Sequence, residues 1–275
     1  MAKDEKFKEK NNIKTGFFED GLPYARMGNK PSILVCIEAL SFKHEPLSGF
    51  MLKRFFKSLR NILEEYTVFY AGRKPNLPID YYFNNMADDY AKMIRREFKG
   101  PVDVMGISTG GQLAHYLAAD HPDVVRKLVI MSAAYRLSEK GAEIEGRAAE
   151  YFKQGKYGKS MATIIEMIYS SGIKRSFIKF FIRLFGKMMF GKMKYPNDGL
   201  VEFQADLKMN FKDRLKNIKA PTLVLSGDLD ICYSAEDVRI TAEKIPNAKL
   251  ILYKGYGHNL TAKEVPKDIL SFLKK

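Results

Sequence analysis

Apolar and polar positions along this chain follow two rhythms. Short apolar runs recur at Ser32 to Ile37, Thr67 to Tyr70, Val102 to Ile107, Lys127 to Met131, Thr222 to Leu225 and Lys249 to Tyr253. Runs of this length predict strands buried on both faces. Two further short strands, 13–18 and 23–28, are joined by the turn Glu19-Asp20-Gly21. Between the runs the spacing becomes helical. Pro46 opens a helix reaching about Glu64. Asn84 caps a helix over 84–98, with Met86, Tyr90, Met93 and Ile94 on one face. Further helices run from Gln112 to near Asp120, over 235–245, and from about 264. Strands alternating with helices predict an α/β fold with a mostly parallel sheet covered on both faces. The alternation stops near Ala134 and resumes at Thr222. Residues 135–205 show helical patterns and no strand. The expected organisation is therefore an α/β core, 1–134 and 206–275, carrying an inserted helical cap, 135–205. The cap should lie over the carboxyl edge of the sheet, where open α/β sheets bind ligands.

The strand ending at Ile107 runs directly into Gly106-Ile107-Ser108-Thr109-Gly110-Gly111 and then into a helix. A serine on such a turn takes up a strained backbone with its hydroxyl exposed, and small neighbours are required because the strand and helix crowd it. A serine hydroxyl needs a base, and the base needs an orienting carboxylate. Of four histidines, His44 is placed in a polar loop, His115 inside a helix and His121 at a helix end. His258 follows a late strand within Gly255-Tyr256-Gly257-His258-Asn259, where glycines let an imidazole reach over the sheet edge. The carboxylate is offered by Ser226-Gly227-Asp228-Leu229-Asp230. Asp230 has the longer reach, and Asp228 suits a turn-stabilising role.

These residues, in the order Ser, Asp, His, resemble the α/β-hydrolase fold superfamily, in its capped serine-hydrolase form. The resemblance runs from about residue 13 to the end. It implies Ser108 as nucleophile, His258 as base, Asp230 as its partner and the Thr109 N–H as one oxyanion donor, with ester, thioester or amide hydrolysis through an acyl-enzyme. The chain departs from the pattern after its third strand, where a family His-Gly is replaced by Ile37-Glu38-Ala39. The second oxyanion donor is then the Ala39 N–H. A carboxylate aimed at that hole would oppose the developing charge. Glu38 is therefore expected to turn toward a cation such as Lys43 or Arg73, or else to bind a substrate amine or hydroxyl.

Composition narrows the rest. A chain of 275 residues that is 46% hydrophobic suits one globular α/β unit with an insertion. Two cysteines, Cys36 and Cys232, make neither a disulfide framework nor a zinc pattern. With no apolar leader after Met1, they point to a reduced, cytoplasmic protein. The net charge of +14 comes with no nucleic-acid motif. Within the cap, Arg175, Lys179, Arg183 and Lys187 recur beside Phe177, Ile178, Phe180, Phe181, Ile182, Leu184 and Phe185. Either this helix is a lid packed on the core, or it also touches anionic membrane or lipid. No metal or organic cofactor is expected, and the partner is a small-molecule substrate with an apolar portion. Two alternatives stay open: a non-catalytic ligand-binding protein on the same fold, and a lipid-interface-binding protein.

Overall fold

A computed structural model describes the backbone of residues 2–169, 172–190 and 193–275, with the side chains of these residues except 2–4, 173, 174 and 185–190. Among the described residues eight strands form one sheet. They are β1 (Lys14–Phe17), β2 (Pro23–Met27), β3 (Ser32–Ile37), β4 (Tyr66–Ala71), β5 (Val102–Ile107), β6 (Val125–Met131), β7 (Thr222–Gly227) and β8 (Ala248–Tyr253). Their spatial order is β1-β2-β4-β3-β5-β6-β7-β8. β2 runs antiparallel to both β1 and β4, and the pairs from β4 through β8 are parallel. Strand direction reverses at the β1–β2 edge, where a short turn suffices, while the parallel pairs require crossover helices.

Alternate residues of each central strand feed two apolar layers. Val35, Ile37, Val104 and Ile130 face α3 (Phe83–Glu97), α4 (Thr109–Asp120) and α9 (Ala235–Lys244). Leu34, Cys36, Met105 and Val129 face α2 (Gly49–Ser58) and α10 (Val265–Lys274). Both faces of the sheet are thereby covered, as near-continuous apolar strands demand.

The charged N-terminus forms α1 (Ala2–Lys10), whose lack of an apolar face leaves no periodic signal in the sequence. Two local readings are corrected. The helix after Pro46 begins only at Gly49, and Ile62–Glu64 is a separate short turn. In α3 the capping contact comes from Asn85, whose Oδ1 accepts the Tyr82 N–H at 3.2 Å, so Asn84 lies within the first turn.

Between β6 and β7 lie α5 (Glu139–Lys153), α6 (Tyr157–Ile168), α7 (Ile173–Phe190) and α8 (Asn197–Lys208). The boundary expected at 205/206 falls inside α8. The expectation of a lid packed on the core does not describe α7, which lies against α6. It leaves Phe177, Phe180 and Leu184 more than 60% exposed. Its Lys179 pairs with Glu166 of α6, which Arg147 of α5 also holds at 2.9 Å. Of the predicted stripe, the Phe185 and Lys187 side chains lie outside the described residues. No helix among the described residues is long and apolar enough to cross a membrane.

Candidate active site

The turn between β5 and α4 has the strain its sequence calls for. Ser108 sits at φ +53°, ψ −125°, outside the regions open to most L-residues. A side chain at Gly110 would place a carbon 2.4 Å from the Glu38 carbonyl oxygen, and one at Gly106 would meet the Gly110 carbonyl at the same distance. The loop after β3 is thus pressed directly against the first turn of α4. Among the described residues no backbone carbonyl accepts the N–H of Ala39 or Thr109.

Ser108 Oγ lies 3.0 Å from His258 Nε2. His258 Nδ1 lies 2.9 Å from Asp230 Oδ2. The other Asp230 oxygen accepts the backbone N–H of Cys232 at 2.8 Å and of Tyr233 at 3.3 Å, which fixes the direction of the carboxylate. Asp228 does something different: its Oδ1 accepts the Gly255 N–H at 2.7 Å. It ties the loop after β7 to the loop after β8, and the Leu229 N–H reinforces that tie by donating to the Tyr256 carbonyl. The structure therefore brings Ser108, His258 and Asp230 together and leaves Asp228 one turn away. Burial opposes a charged imidazole at 258; the adjacent Cys232 and Asp230 favour it and hold the His258 pKa well above the ordinary histidine value.

The remaining histidines have other roles. His115 is fully buried, its Nδ1 2.7 Å from the Gly111 carbonyl, and burial lowers its pKa to about 4, so it is neutral. His121 meets Asp88 through Nε2 at 2.7 Å. The placement of His44 in a polar loop is corrected: it is 2% exposed, with Nε2 2.6 Å from Glu202 Oε1 and Nδ1 2.7 Å from the Lys74 carbonyl. Burial works against its charge, but the hydrogen bond and charge of Glu202 prevail and raise its pKa.

Glu38 turns away from Ser108. In the order β4-β3-β5 its carboxyl reaches over the β4 side, where a side chain on Gly72 would meet Oε2 at 2.6 Å, while Ser108 follows β5. Burial pushes its pKa up to about 7, against the opposing pull of the Arg73 guanidinium and a hydrogen bond from Tyr70. Arg73, fully buried, donates from one Nη to the carbonyls of Glu38 at 2.6 Å and Ala39 at 2.8 Å. That grip sets the path of the chain that carries the Ala39 N–H.

Sequence reasoning missed a second constellation. Asp198, Glu202 and Asp206 recur every fourth residue along α8, and all three are at most 2% exposed. Asp198 accepts the backbone N–H groups of Asn76 and Leu77 at 3.0 and 2.8 Å. Glu202 accepts the Ser41 N–H at 3.2 Å, contacts His44, and lies 3.4 Å from Arg73 Nε. Asp206 accepts the Thr109 hydroxyl at 2.6 Å. Burial raises the Asp206 pKa to about 7 and holds that of its hydrogen-bonding neighbour Glu145, on α5, well above the ordinary carboxylate value. The available signal was the spacing itself: three acids in line on one helix repel one another unless each has its own partner.

A family model described as alpha/beta hydrolase fold matches residues 68–167. An alpha/beta hydrolase enzyme from a Medee basin deep-sea metagenome library superimposes with a TM-score of 0.75 over 95% of this chain and 98% of its own, at 16% identity. The chain has the α/β-hydrolase fold. Among relatives of this hydrolase-fold chain, the bifunctional esterase/perhydrolase of Acinetobacter calcoaceticus is 28% identical over 218 residues, covering 74% of this chain and 78% of the relative. The poly(3-hydroxyalkanoate) depolymerase of Ectopseudomonas oleovorans is 29% identical over 202 residues, covering 71% and 69%.

Proposed function

We propose that the protein is a serine hydrolase acting on a small ester or related acyl substrate with an apolar portion. The observation that carries this reading is the relay from Ser108 Oγ to His258 Nε2 at 3.0 Å and from His258 Nδ1 to Asp230 at 2.9 Å, on a strained turn. Relatives bearing the names esterase/perhydrolase and depolymerase support ester hydrolysis. Ser108 attacks the acyl carbon while His258 takes its proton. Asp230 holds the imidazole in the tautomer whose Nε2 accepts, and stabilises the imidazolium that forms. The N–H groups of Ala39 and Thr109 receive the oxyanion. The imidazolium then protonates the leaving alkoxide, giving an acyl-enzyme. Water, deprotonated by His258, releases the acid and restores Ser108. Helices α5–α8 act as the cap and shape the acyl pocket. The carboxyl of Glu38, turned toward β4, is spared a clash with the oxyanion. Its place beside Tyr70 and Arg73 favours the enzyme over a non-catalytic binding protein.

Two buried, free cysteines suit a reducing, cytoplasmic setting, and no nucleic acid enters the reading. A further contact is supported by α7. Its exposed Phe177, Phe180, Phe181 and Leu184 lie beside Arg175 and Arg183, a pairing that suits weak docking to an anionic lipid surface. Turnover of p-nitrophenyl esters of graded chain length tests the main reading: activity that rises with an apolar acyl group and is lost in Ser108→Ala supports it, and full activity in Ser108→Ala ends it.

A further inference from the structure

Cys232 has no part in the hydrolytic steps above, yet its thiol lies against the pair that does. Sγ of Cys232, a carboxylate oxygen of Asp230 and a ring nitrogen of His258 all fall within 4.8 Å of one another. The thiol and imidazole are also hydrogen-bonding neighbours. Local sequence spacing hides the grouping, because two members lie on the loop after β7 and the third on the loop after β8. The positions are held firmly. The Cys232 N–H binds Asp230 Oδ1 at 2.8 Å, and the Cys232 carbonyl accepts the Ser138 N–H at 2.7 Å.

We propose that Cys232, Asp230 and His258 form an inhibitory site for a thiophilic divalent cation, Zn²⁺ or Cd²⁺. The donor set is one sulfur, one nitrogen and one oxygen, which suits Zn²⁺ and Cd²⁺ and not Mg²⁺ or Ca²⁺. Two of the three donors are anionic when bound, so a divalent ion is neutralised locally. The exchange balances as follows. The cation takes the place of the hydrogen bond between Nδ1 and Asp230, the thiol releases one proton to solvent, and the Nδ1 proton moves to Nε2. An imidazole ligated at Nδ1 and protonated at Nε2 has no lone pair for the Ser108 hydroxyl. Binding therefore silences the relay without touching Ser108. Entry is from the His258 side, where the side chain is 10% exposed, because Cys232 is fully buried.

The inhibitory consequence rests on the proposed hydrolase mechanism, and the binding itself does not, so the experiment reads both. Cd²⁺ titration of the full chain is followed by the ultraviolet thiolate-to-cadmium charge-transfer band. One equivalent should develop the band in the wild type and in Cys36→Ser, and none in Cys232→Ser. In parallel, Zn²⁺ inhibition of ester turnover is measured for each protein against its own metal-free rate. Inhibition of the wild type should be reversed by a chelator and not reproduced by Mg²⁺. In Cys232→Ser the half-inhibitory Zn²⁺ concentration should rise at least about 10-fold. A charge-transfer band that survives Cys232→Ser, or equal zinc sensitivity in wild type and variant, overturns the site. A band lost in Cys232→Ser from a wild type without esterase activity would keep the site and sink the hydrolase reading instead.

Discussion

Two stretches of the sheet's carboxyl edge meet at Ser108, and they are assembled in opposite ways. On the β5–β7–β8 side, each chemical residue sits on its own short turn directly after its own strand. The contacts are few and charge-poor: one serine, one imidazole, one carboxylate, with distances of 3.0 and 2.9 Å between them. On the β3–β4 side, no such turn exists. The loops carrying Ser41, His44, Arg73 and Asn76 are organised from outside, by the acidic stripe of α8. In the proposed mechanism the first stretch holds the reacting groups, and the second holds the backbone that would present the Ala39 N–H. The difference shows how the inserted helices take part in the site. They bring in carboxylates that fix the loop after β3 and, through Asp206, the first residue of α4.

That contrast can be broken from either side, and the largest effect should come from the relay. Ser108→Ala and His258→Ala should each lower kcat by at least about 10⁴-fold, and the double variant should be little worse, since such residues act as a unit. Steady-state kinetics on a soluble ester would show this; additive losses would mean that the two side chains work independently. Asp230→Asn comes next, with a loss of roughly 100- to 10,000-fold from a misplaced imidazole tautomer. Asp228→Asn should leave kcat nearly intact and lower stability slightly, because it only weakens the tie to Gly255 by removing the charge on its acceptor.

On the other side, Glu202→Ala removes the carboxylate that His44 Nε2 and Arg73 Nε face, leaving only Asp198 near His44 and Glu38 near Arg73. Removing one partner of a buried charge pair costs about 3–5 kcal/mol, which urea unfolding would register. A cost below about 1 kcal/mol would place the stripe of α8 outside the work of holding the loop. The smallest effect on turnover is expected from Glu38→Gln, within a few-fold of wild type. Its signature is instead in stability against pH. The carboxyl is raised from an ordinary 4.5 to about 7 in the folded chain. Folding then binds a proton between those values, so the contribution of Glu38 is full below pH 4.5 and is lost as pH rises through 7. Relative to Glu38→Gln, the wild type should lose stability across that window, and a difference that is flat with pH would show Glu38 to be ionised throughout.

The legibility of the molecule follows the same division. The serine turn after β5, the strand order in sequence and the meeting of His258 and Asp230 beside Ser108 could be read because each is announced by glycines and an apolar run within ten residues. His44 and the α8 carboxylates could not. In sequence they look like solvated polar positions, and the bonds of the α8 carboxylates to Ser41, His44, Leu77 and Thr109 span 97 to 161 residues. Glu38 was legible as an anomaly and not as a contact, since its turn toward Tyr70 depends on which strand lies on which side of β3. The phenylalanines of α7 misled for the opposite reason: apolar periodicity promises burial only when another element covers the face, and here the covered face is the one against α6.

The central claim is that the relay makes Ser108 a nucleophile. A fluorophosphonate probe, followed by peptide mass spectrometry, tests that directly, because only an activated serine is phosphonylated at a useful rate. Ser108 should carry the label in the wild type, in Asp228→Asn and in Glu38→Gln, and labelling should collapse in His258→Ala. An unlabelled wild type, or a label on Ser108 that persists undiminished in His258→Ala, would contradict the account.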